Sequence, residues 1–595
     1  MISTQHDIEK IINPVLPDKA YNIKRGESIS EKISSGEINI NTIAPLLKDN
    51  SLIDFFSYTR AKYLSHHRLA EKPAFNKTLE DIMNAVGKRL KRSANELWSS
   101  QEFQLLFRAT TAEHLALLGL SEHVESVRQV IASGRIMSIL PYNLLMSPMT
   151  IKKYIPTRSE KFSGNWRHSM DPYGLFRKMT KVVAIDKNGN EIYLGTRKFD
   201  YAVLANITEA CYIGCDGCYK GSMVRTSLAA LEKIYPEYAK IKKQLTLEEN
   251  KAVIQARLLT SWLNKHPEVD TIVISGGEPT LFSNETLRKI VAEYKKAEHV
   301  KVLRMCTSSV FQGMWYRIDD ELVDIFYDYE KSTGKQFYIN AHVTDEFQLG
   351  APEAKIAIDK LARRGISVHL QLPVQQGINF LRDDLAWSTE KLKRISQQAY
   401  YRDVDPYKLI IDMHSPSHSD ITVPLEDFSK VISALDSHQQ NSDHWRFRAP
   451  NLLTPQGNDY IYPYPHFSAY KEIDKKAGKV TYFIPKVSYS PRSIIVHTYE
   501  EPLLPGHNDD KHSLNKISNK DINKKIKEVV RAYHTLTSDI NRLERTNLSK
   551  EQKSREAEQL ESRFFQIAGI ECSTNEPLIL NESFESVYSA AKNKK

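Results

Sequence analysis

Between about residues 201 and 414, short runs of β-branched and apolar residues alternate with longer stretches whose apolar positions recur every three or four residues. The runs are Tyr201-Ala-Val-Leu-Ala-Asn-Ile, Thr271-Ile-Val-Ile-Ser, Val300-Lys-Val-Leu-Arg-Met, Gln336-Phe-Tyr-Ile-Asn, Ile366-Ser-Val-His-Leu-Gln-Leu and Tyr407-Lys-Leu-Ile-Ile-Asp. Short apolar runs predict buried strands, and the helical spacing between them predicts crossover helices. Six repeats of strand then helix predict an α/β core with a parallel sheet. Such units close most naturally into a partial (β/α)6 TIM-like barrel, whose ligands sit at the carboxyl ends of the strands.

The flanks follow other patterns. Residues 1–145 carry apolar positions at helical spacing, as in Phe103-Gln-Leu-Leu-Phe-Arg, His114-Leu-Ala-Leu-Leu-Gly-Leu and Val124-Glu-Ser-Val-Arg-Gln-Val-Ile, and predict an all-α N-terminal domain. Residues 146–200 read as a connector and lead-in, with Pro148, Pro156, Ser163 and Gly164 breaking the pattern. The barrel occupies 201–420, and the short strand-like runs near Val480 and Ser493 belong to a C-terminal part of the core, 421–508. Residues 509–595 are polar and rich in lysine and glutamate at helical spacing, which predicts a charged, solvated helical extension without chemistry of its own.

Composition narrows the function classes. The 595 residues are 41% hydrophobic and 26% charged, values typical of folded soluble proteins, and no segment approaches the run of about 20 apolar residues that spans a bilayer. The amino terminus has no basic stretch followed by an apolar core, so a cytoplasmic protein without a membrane partner is expected. Lys+Arg exceed Asp+Glu by 82 to 73, an excess spread along the chain, and no nucleic-acid module is present, so nucleic acid is not an expected partner. Five cysteines cannot form a disulfide framework in so long a chain, yet three of them, Cys211, Cys215 and Cys218, fall within eight positions.

That C-x3-C-x2-C loop directly follows the first barrel strand. Three thiolates on one tight loop suit an iron-sulfur cubane whose fourth iron stays open to a ligand, and Gly214 and Gly217 permit the turns. A structural zinc site is the competing reading, but zinc prefers four protein ligands, and Cys306 and Cys572 are solitary. Ordinary core thiols have no reason to cluster in this way. The second element, Ile274-Ser-Gly276-Gly277-Glu278-Pro279, ends the next strand, where paired glycines let a backbone come close to a partner.

With these two elements the chain resembles the radical S-adenosylmethionine (SAM) superfamily. Four further stretches, in order, are similar to its lysine 2,3-aminomutase-like branch. They are Leu303-Arg-Met-Cys-Thr-Ser-Ser-Val with Arg317-Ile-Asp-Asp-Glu-Leu; Ile339-Asn-Ala-His342 with Leu361-Ala-Arg-Arg-Gly-Ile-Ser-Val-His-Leu-Gln371; Gln376-Gly-Ile-Asn379 with Arg382-Asp-Asp; and Tyr407-Lys-Leu-Ile-Ile-Asp412. The similarity covers roughly residues 165 to 505. It implies a [4Fe-4S] cluster on Cys211, Cys215 and Cys218, and SAM met by Gly276, Gly277, Glu278 and Pro279, with His342 and Gln371 also binding cofactor. It also implies a hydrogen abstraction from an amino acid or amino-acid-like substrate, fed by an electron donor such as flavodoxin or ferredoxin, and leaves a homo-oligomer open.

The branch's second cofactor is pyridoxal phosphate (PLP), bound through a lysine, and Glu472-Ile-Asp474-Lys-Lys-Ala-Gly-Lys479-Val resembles the PLP-lysine segment with a shorter, interrupted glycine run. The resemblance implies that Lys479 carries PLP; an exposed lysine in a β-turn is the other reading. Lys220 replaces the family's arginine-rich run after the third cysteine and would supply a point charge to the substrate carboxylate. Asp412 matches an aspartate that holds the substrate amino group, or else it is a loop carboxylate. If PLP is not used, the same core would serve an enzyme modifying a peptide, protein or natural product. His66, His67, Glu113 and His114 lack regular ligand spacing and read as ordinary histidines and carboxylate.

Overall fold

The computed structural model describes residues 180–411 almost without a break, then 421–437, most of 451–460, 470–487, 494–504, 520–570 and most of 575–588; before residue 180 it describes 123–144, 153–155 and scattered positions from 93 to 112. Most of the region 1–145 therefore lies outside the described residues, as do Asp412, His66, His67, Glu113, His114, Gly217 and Cys572.

The six expected strands are present at the expected places. They are β3 (Ala202–Asn206), β4 (Thr271–Ser275), β5 (Val302–Thr307), β6 (Gln336–His342), β7 (Ser367–Val374) and β8 (Asp405–Ile411), all paired in parallel with the next. Helices follow them as crossovers: α2 (Glu249–Leu263) precedes β4, and α3 (Asn284–Lys295), α4 (Asp320–Thr333), α5 (Pro352–Arg363) and α6 (Leu385–Tyr401) lead to β5 through β8. Local chemistry sets their ends. Ser283 and Asp319 accept from the third backbone N–H of α3 and α4, Asp384 does the same for α6, and Gly334 closes α4 in the left-handed conformation.

Each strand divides its residues between two faces. Leu303 and Met305 on β5, Phe337, Ile339 and Ala341 on β6, and Val368, Leu370, Leu372 and Val374 on β7 are buried in the main apolar core, which also takes in Leu287, Ile290, Leu322, Phe326, Ala354 and Leu361 of the helices. The alternate positions Arg304, Cys306, Tyr338, His342, His369 and Gln371 are only part-buried. The α/β core is thus a partial (β/α)6 barrel with one apolar and one polar face.

The sheet is wider than the six-strand pattern predicts. A hairpin of β1 (Lys181–Ile185) and β2 (Glu191–Phe199) adds antiparallel to β3, within the stretch expected to be a connector. Its turn, Asp186-Lys-Asn-Gly189, has Gly189 at φ 79 and Asp186 accepting from the Asn188 and Asn190 backbones. On the far side β9 (Asn451–Thr454) pairs with β8 and carries β10 (Gly457–Tyr460). The spatial order is β10-β9-β8-β7-β6-β5-β4-β3-β2-β1-β14, where β14 (Leu578–Ile579) comes from the carboxyl-terminal region and pairs in parallel with β1.

A second, three-stranded antiparallel sheet holds β11 (Tyr470–Asp474), β12 (Lys479–Val487) and β13 (Ile494–Pro502). The helical extension forms the expected hairpin of α8 (Lys520–Glu544) and α9 (Lys550–Ile567), with a full capping box at Ser549 and Gln552. It is not wholly solvated: Ile526, Val529, Phe564, Phe565 and Ala568 form a second core with Phe483 of β12 and Val496 of β13. Two more helices are α1 (Val124–Ala132), before the barrel, and α7 (Leu425–Ser437), after β8.

Candidate active site

The cysteine loop begins where β3 ends, and the Gly276–Pro279 turn begins where β4 ends, so adjacency of the two strands brings the two motifs together. The backbone joins them. Ile207 N donates to Ser275 O (2.9 Å), Gly277 N to Thr208 O (2.6 Å) and Glu278 N to Ala210 O (2.8 Å). A Cβ on Gly276, whose φ is +147, would stand 2.2 Å from Thr208 O, and one on Gly277 2.0 Å from Ala210 O. The close approach predicted for the two glycines is therefore made to the cysteine loop itself.

Glu278 locks the turn from within. Its side chain is buried, with Oε1 accepting from the Thr280 backbone (3.2 Å), Thr280 Oγ1 (2.9 Å) and Thr307 Oγ1 (2.6 Å), and Oε2 accepting from Ser308 N (2.8 Å). Burial pushes its carboxyl above the usual range, against the lowering effect of these bonds. Pro279 opens the single 3-10 turn that Glu278 caps.

Lys220 sits underneath, 3% exposed. Its Nζ donates to Asn206 Oδ1 at the end of β3 (2.7 Å), and to Ser275 Oγ (3.1 Å) and Gly276 O (2.5 Å) at the end of β4. Burial lowers its pKa, while Glu209 and the thiols of Cys218, Cys306 and Cys211 oppose that shift. The ammonium expected at a substrate carboxylate is engaged by the strand ends. Glu209, also buried, has neither carboxylate oxygen hydrogen-bonded; desolvation raises its pKa, and the nearby Lys220 and Lys242 pull it back.

None of the three cysteines of the loop is in a disulfide, and all are part-buried. Cys211 Sγ donates to Ile213 O (3.3 Å) and Cys215 Sγ to the side-chain oxygen of Gln312 (3.5 Å). Burial pushes the thiols up, Cys211 far above its ordinary value and Cys218 to about 11, and Cys215 adds to both shifts. Among the described residues no three His, Cys, Asp or Glu side chains converge as a finished metal site. The donor chemistry fits an iron-sulfur cluster nonetheless. Cys211 and Cys218, which burial keeps as neutral thiols, become stable thiolates when iron supplies the compensating charge.

Farther along the carboxyl edge, His342 on β6 stands level with Gln371 on β7, its Nε2 2.7 Å from Gln371 Oε1. Burial, with Lys153 nearby, pushes the imidazole down to about 4, so the ring is neutral at neutral pH. Below this pair the polar face carries Asn206, Ser275, Cys306 and Asn340, with Asn340 Nδ2 3.7 Å from Cys306 Sγ. Sequence reasoning assigned no role to Asn206, Ser275, Thr307, Gln312 or Glu209. For Asn206, Ser275 and Thr307 the signal available was a polar residue closing an otherwise mostly apolar strand; Glu209 and Gln312 lie in loops and gave none.

Lys479 is not among these groups. It opens β12 in the three-stranded sheet, half-buried, with Nζ 2.5 Å from Glu500 Oε1 and over the Tyr533 ring. Asp474 accepts from the Lys476 and Ala477 backbones and shapes the turn before it.

Curated relatives bear on this geometry. A putative L-lysine 2,3-aminomutase of Aquifex aeolicus is 26% identical over 320 residues, 51% of this chain and 74% of the relative. Glutamate 2,3-aminomutase of Clostridioides difficile is 22% identical over 351 residues, 58% of this chain and 72% of the relative. The chain resembles the lysine 2,3-aminomutase-like branch of the radical SAM superfamily. L-lysine 2,3-aminomutase of Fusobacterium nucleatum, 23% identical over 59% of this chain and 72% of its own, extends the likeness, while a further Aquifex aeolicus match spans 56% of the relative. These relatives are named as enzymes, and the chain is an enzyme by the same likeness. No family model matches it. No helix among the described residues is long and apolar enough to cross a membrane.

Proposed function

We propose that the chain is a radical SAM enzyme in which Cys211, Cys215 and Cys218 hold a [4Fe-4S] cluster and hydrogen is abstracted from an amino acid or amino-acid-like substrate. The observation that carries this reading is the cysteine loop bonded, backbone to backbone, to the Gly276–Glu278 turn at the mouth of a parallel half-barrel. When bound, the cluster supplies the electron that splits SAM into methionine and a 5′-deoxyadenosyl radical. The chain's own residues do the positioning. Gly276 and Gly277 press the turn against the loop, Glu278 ties it to the end of β5, and Lys220 holds the two strand ends in register beneath the cysteines. His342 and Gln371 offer neutral hydrogen-bonding groups at the same edge. Relatives named for lysine and glutamate support an amino-acid substrate.

The test is anaerobic reconstitution with iron and sulfide, followed by dithionite and SAM. 5′-Deoxyadenosine should form, and its absence from protein holding an intact cluster would overturn the reading. The place of Lys479 favours the version without PLP: it lies on the three-stranded sheet, half-exposed and paired with Glu500, and not among the strand-end groups beside the cysteine loop. The protein mixed with PLP should then show no imine absorption that Lys479→Ala abolishes; such a band would restore an amino-group migration.

A further inference from the structure

The residues before the barrel lie outside the stretch that resembles the family, yet they form one wall of the cysteine loop. Residues 134–138 run beside it as an added rib. Ile136 N donates to Arg225 O (2.6 Å), Gly214 N to Ser138 O (2.9 Å) and Ser138 Oγ to Tyr212 O (2.5 Å), and Arg135 bridges antiparallel to Thr226. The contact is so close at Gly214 that a Cβ there would stand 2.6 Å from Ser138 N.

A second contact converges on Gln312, in the loop after β5 and wholly buried. Its Oε1 accepts from Cys215 Sγ (3.5 Å) and from the Tyr154 hydroxyl (3.2 Å), and its Nε2 donates to His342 O (2.9 Å) at the end of β6. Its main-chain oxygen accepts from Asn143 Nδ2 (3.2 Å), and the Tyr154 hydroxyl also lies 3.2 Å from Asn143 Oδ1 and accepts from Gln348 Nε2 (3.3 Å). Asn143 and Tyr154 are fully buried too. One amide thus connects the middle cysteine, a barrel strand end and the segment before the barrel.

We infer that Gln312, braced by Tyr154, is a positioning residue for Cys215, and that the segment carrying Ser138, Asn143 and Tyr154 is a working part of the cysteine loop. A planar amide held at both ends by fixed partners cannot swing, so the thiol that donates to it keeps one direction. A fully satisfied buried network fixes geometry in this way, whereas an apolar side chain of similar size leaves the sulfur free to turn. The inference rests on the cluster reading proposed above and concerns the loop before a cluster is built, while Cys215 still carries the proton that it donates to Gln312, so it is tested without metal.

The full-length, reduced, metal-free chain is alkylated with iodoacetamide, and the rate at each cysteine is read by peptide mass spectrometry. Gln312→Leu should accelerate Cys215 by about fivefold, the factor set by one hydrogen bond of ordinary net strength, with Cys211 and Cys218 unchanged. Tyr154→Phe, which keeps the ring and the fold, should do the same by a smaller factor. Rates at Cys215 equal to those of the unsubstituted chain in both variants, or equal acceleration of all three cysteines, would overturn the inference. Because the labelling needs no iron, an unsubstituted chain that never bound a cluster would remove the proposed function and leave this result standing.

Discussion

Lys220 and Lys479 are both candidate catalytic cations by sequence, and the two regions that hold them differ in kind. Lys220 is buried where β3 and β4 end, with its ammonium shared among Asn206, Ser275 and Gly276. Lys479 opens an antiparallel strand, half-buried, in an ion pair with Glu500. The first environment is assembled from segments brought together only by the parallel sheet, and each polar group there depends on the others. The second is a hairpin whose turn and partner lie on neighbouring strands, and water screens its charges. A buried lysine with three fixed acceptors organises a site, whereas a lysine on a hairpin can be exchanged with little consequence.

The glycines of the two regions should separate most widely. Gly277→Ala drives a Cβ to 2.0 Å from Ala210 O, backbone that cannot step aside, and should destabilise the protein by roughly 4 kcal/mol in denaturant unfolding. Gly478→Ala, at φ +64 with nothing within 4 Å, should lose only about 1 kcal/mol. Similar losses at both positions would erase the contrast.

Lys220→Met removes the donor shared by three buried acceptors and should destabilise by roughly 3 kcal/mol, measured in the same way. A variant that keeps its stability and only raises the KM for substrate would instead return Lys220 to the substrate.

The pH dependence of stability sharpens the picture at the strand ends. The folded His342 titrates at about 4 and the unfolded ring near 6.5, so between these values the unfolded chain binds more protons. Stability is therefore full above about pH 6.5 and falls progressively toward about pH 4, by roughly 2 kcal/mol once the partial exposure of the ring is allowed for. His342→Gln should flatten that slope in unfolding curves taken across the window. The smallest effect is expected at Lys479→Met, under about 1 kcal/mol, with 5′-deoxyadenosine formation unchanged.

The six parallel strands were legible because each is a short apolar run whose alternation is local. The placement of Cys211, Cys215 and Cys218 and of Gly276 and Gly277 followed, since both motifs directly trail predicted strands. The β1–β2 hairpin was readable in principle from Asn188-Gly189 between alternating runs, yet its region read as a connector. The pairing of β14 with β1 was not readable, because two residues carry no period and their partner lies almost 400 positions away in the chain. The polar face of the barrel left only a faint trace, in the spacing of Arg304 and Cys306 and of Asn340 and His342.

By itself, the sequence determined the α/β architecture and the position of three thiols at a strand end, since periodicity and spacing act through neighbours along the chain. Only the tertiary structure decided which groups Lys220, Glu278 and Gln312 bond to. The bonding of a buried polar group is set by whichever distant segments the packed core brings within about 3 Å, and no pattern along one segment encodes that meeting.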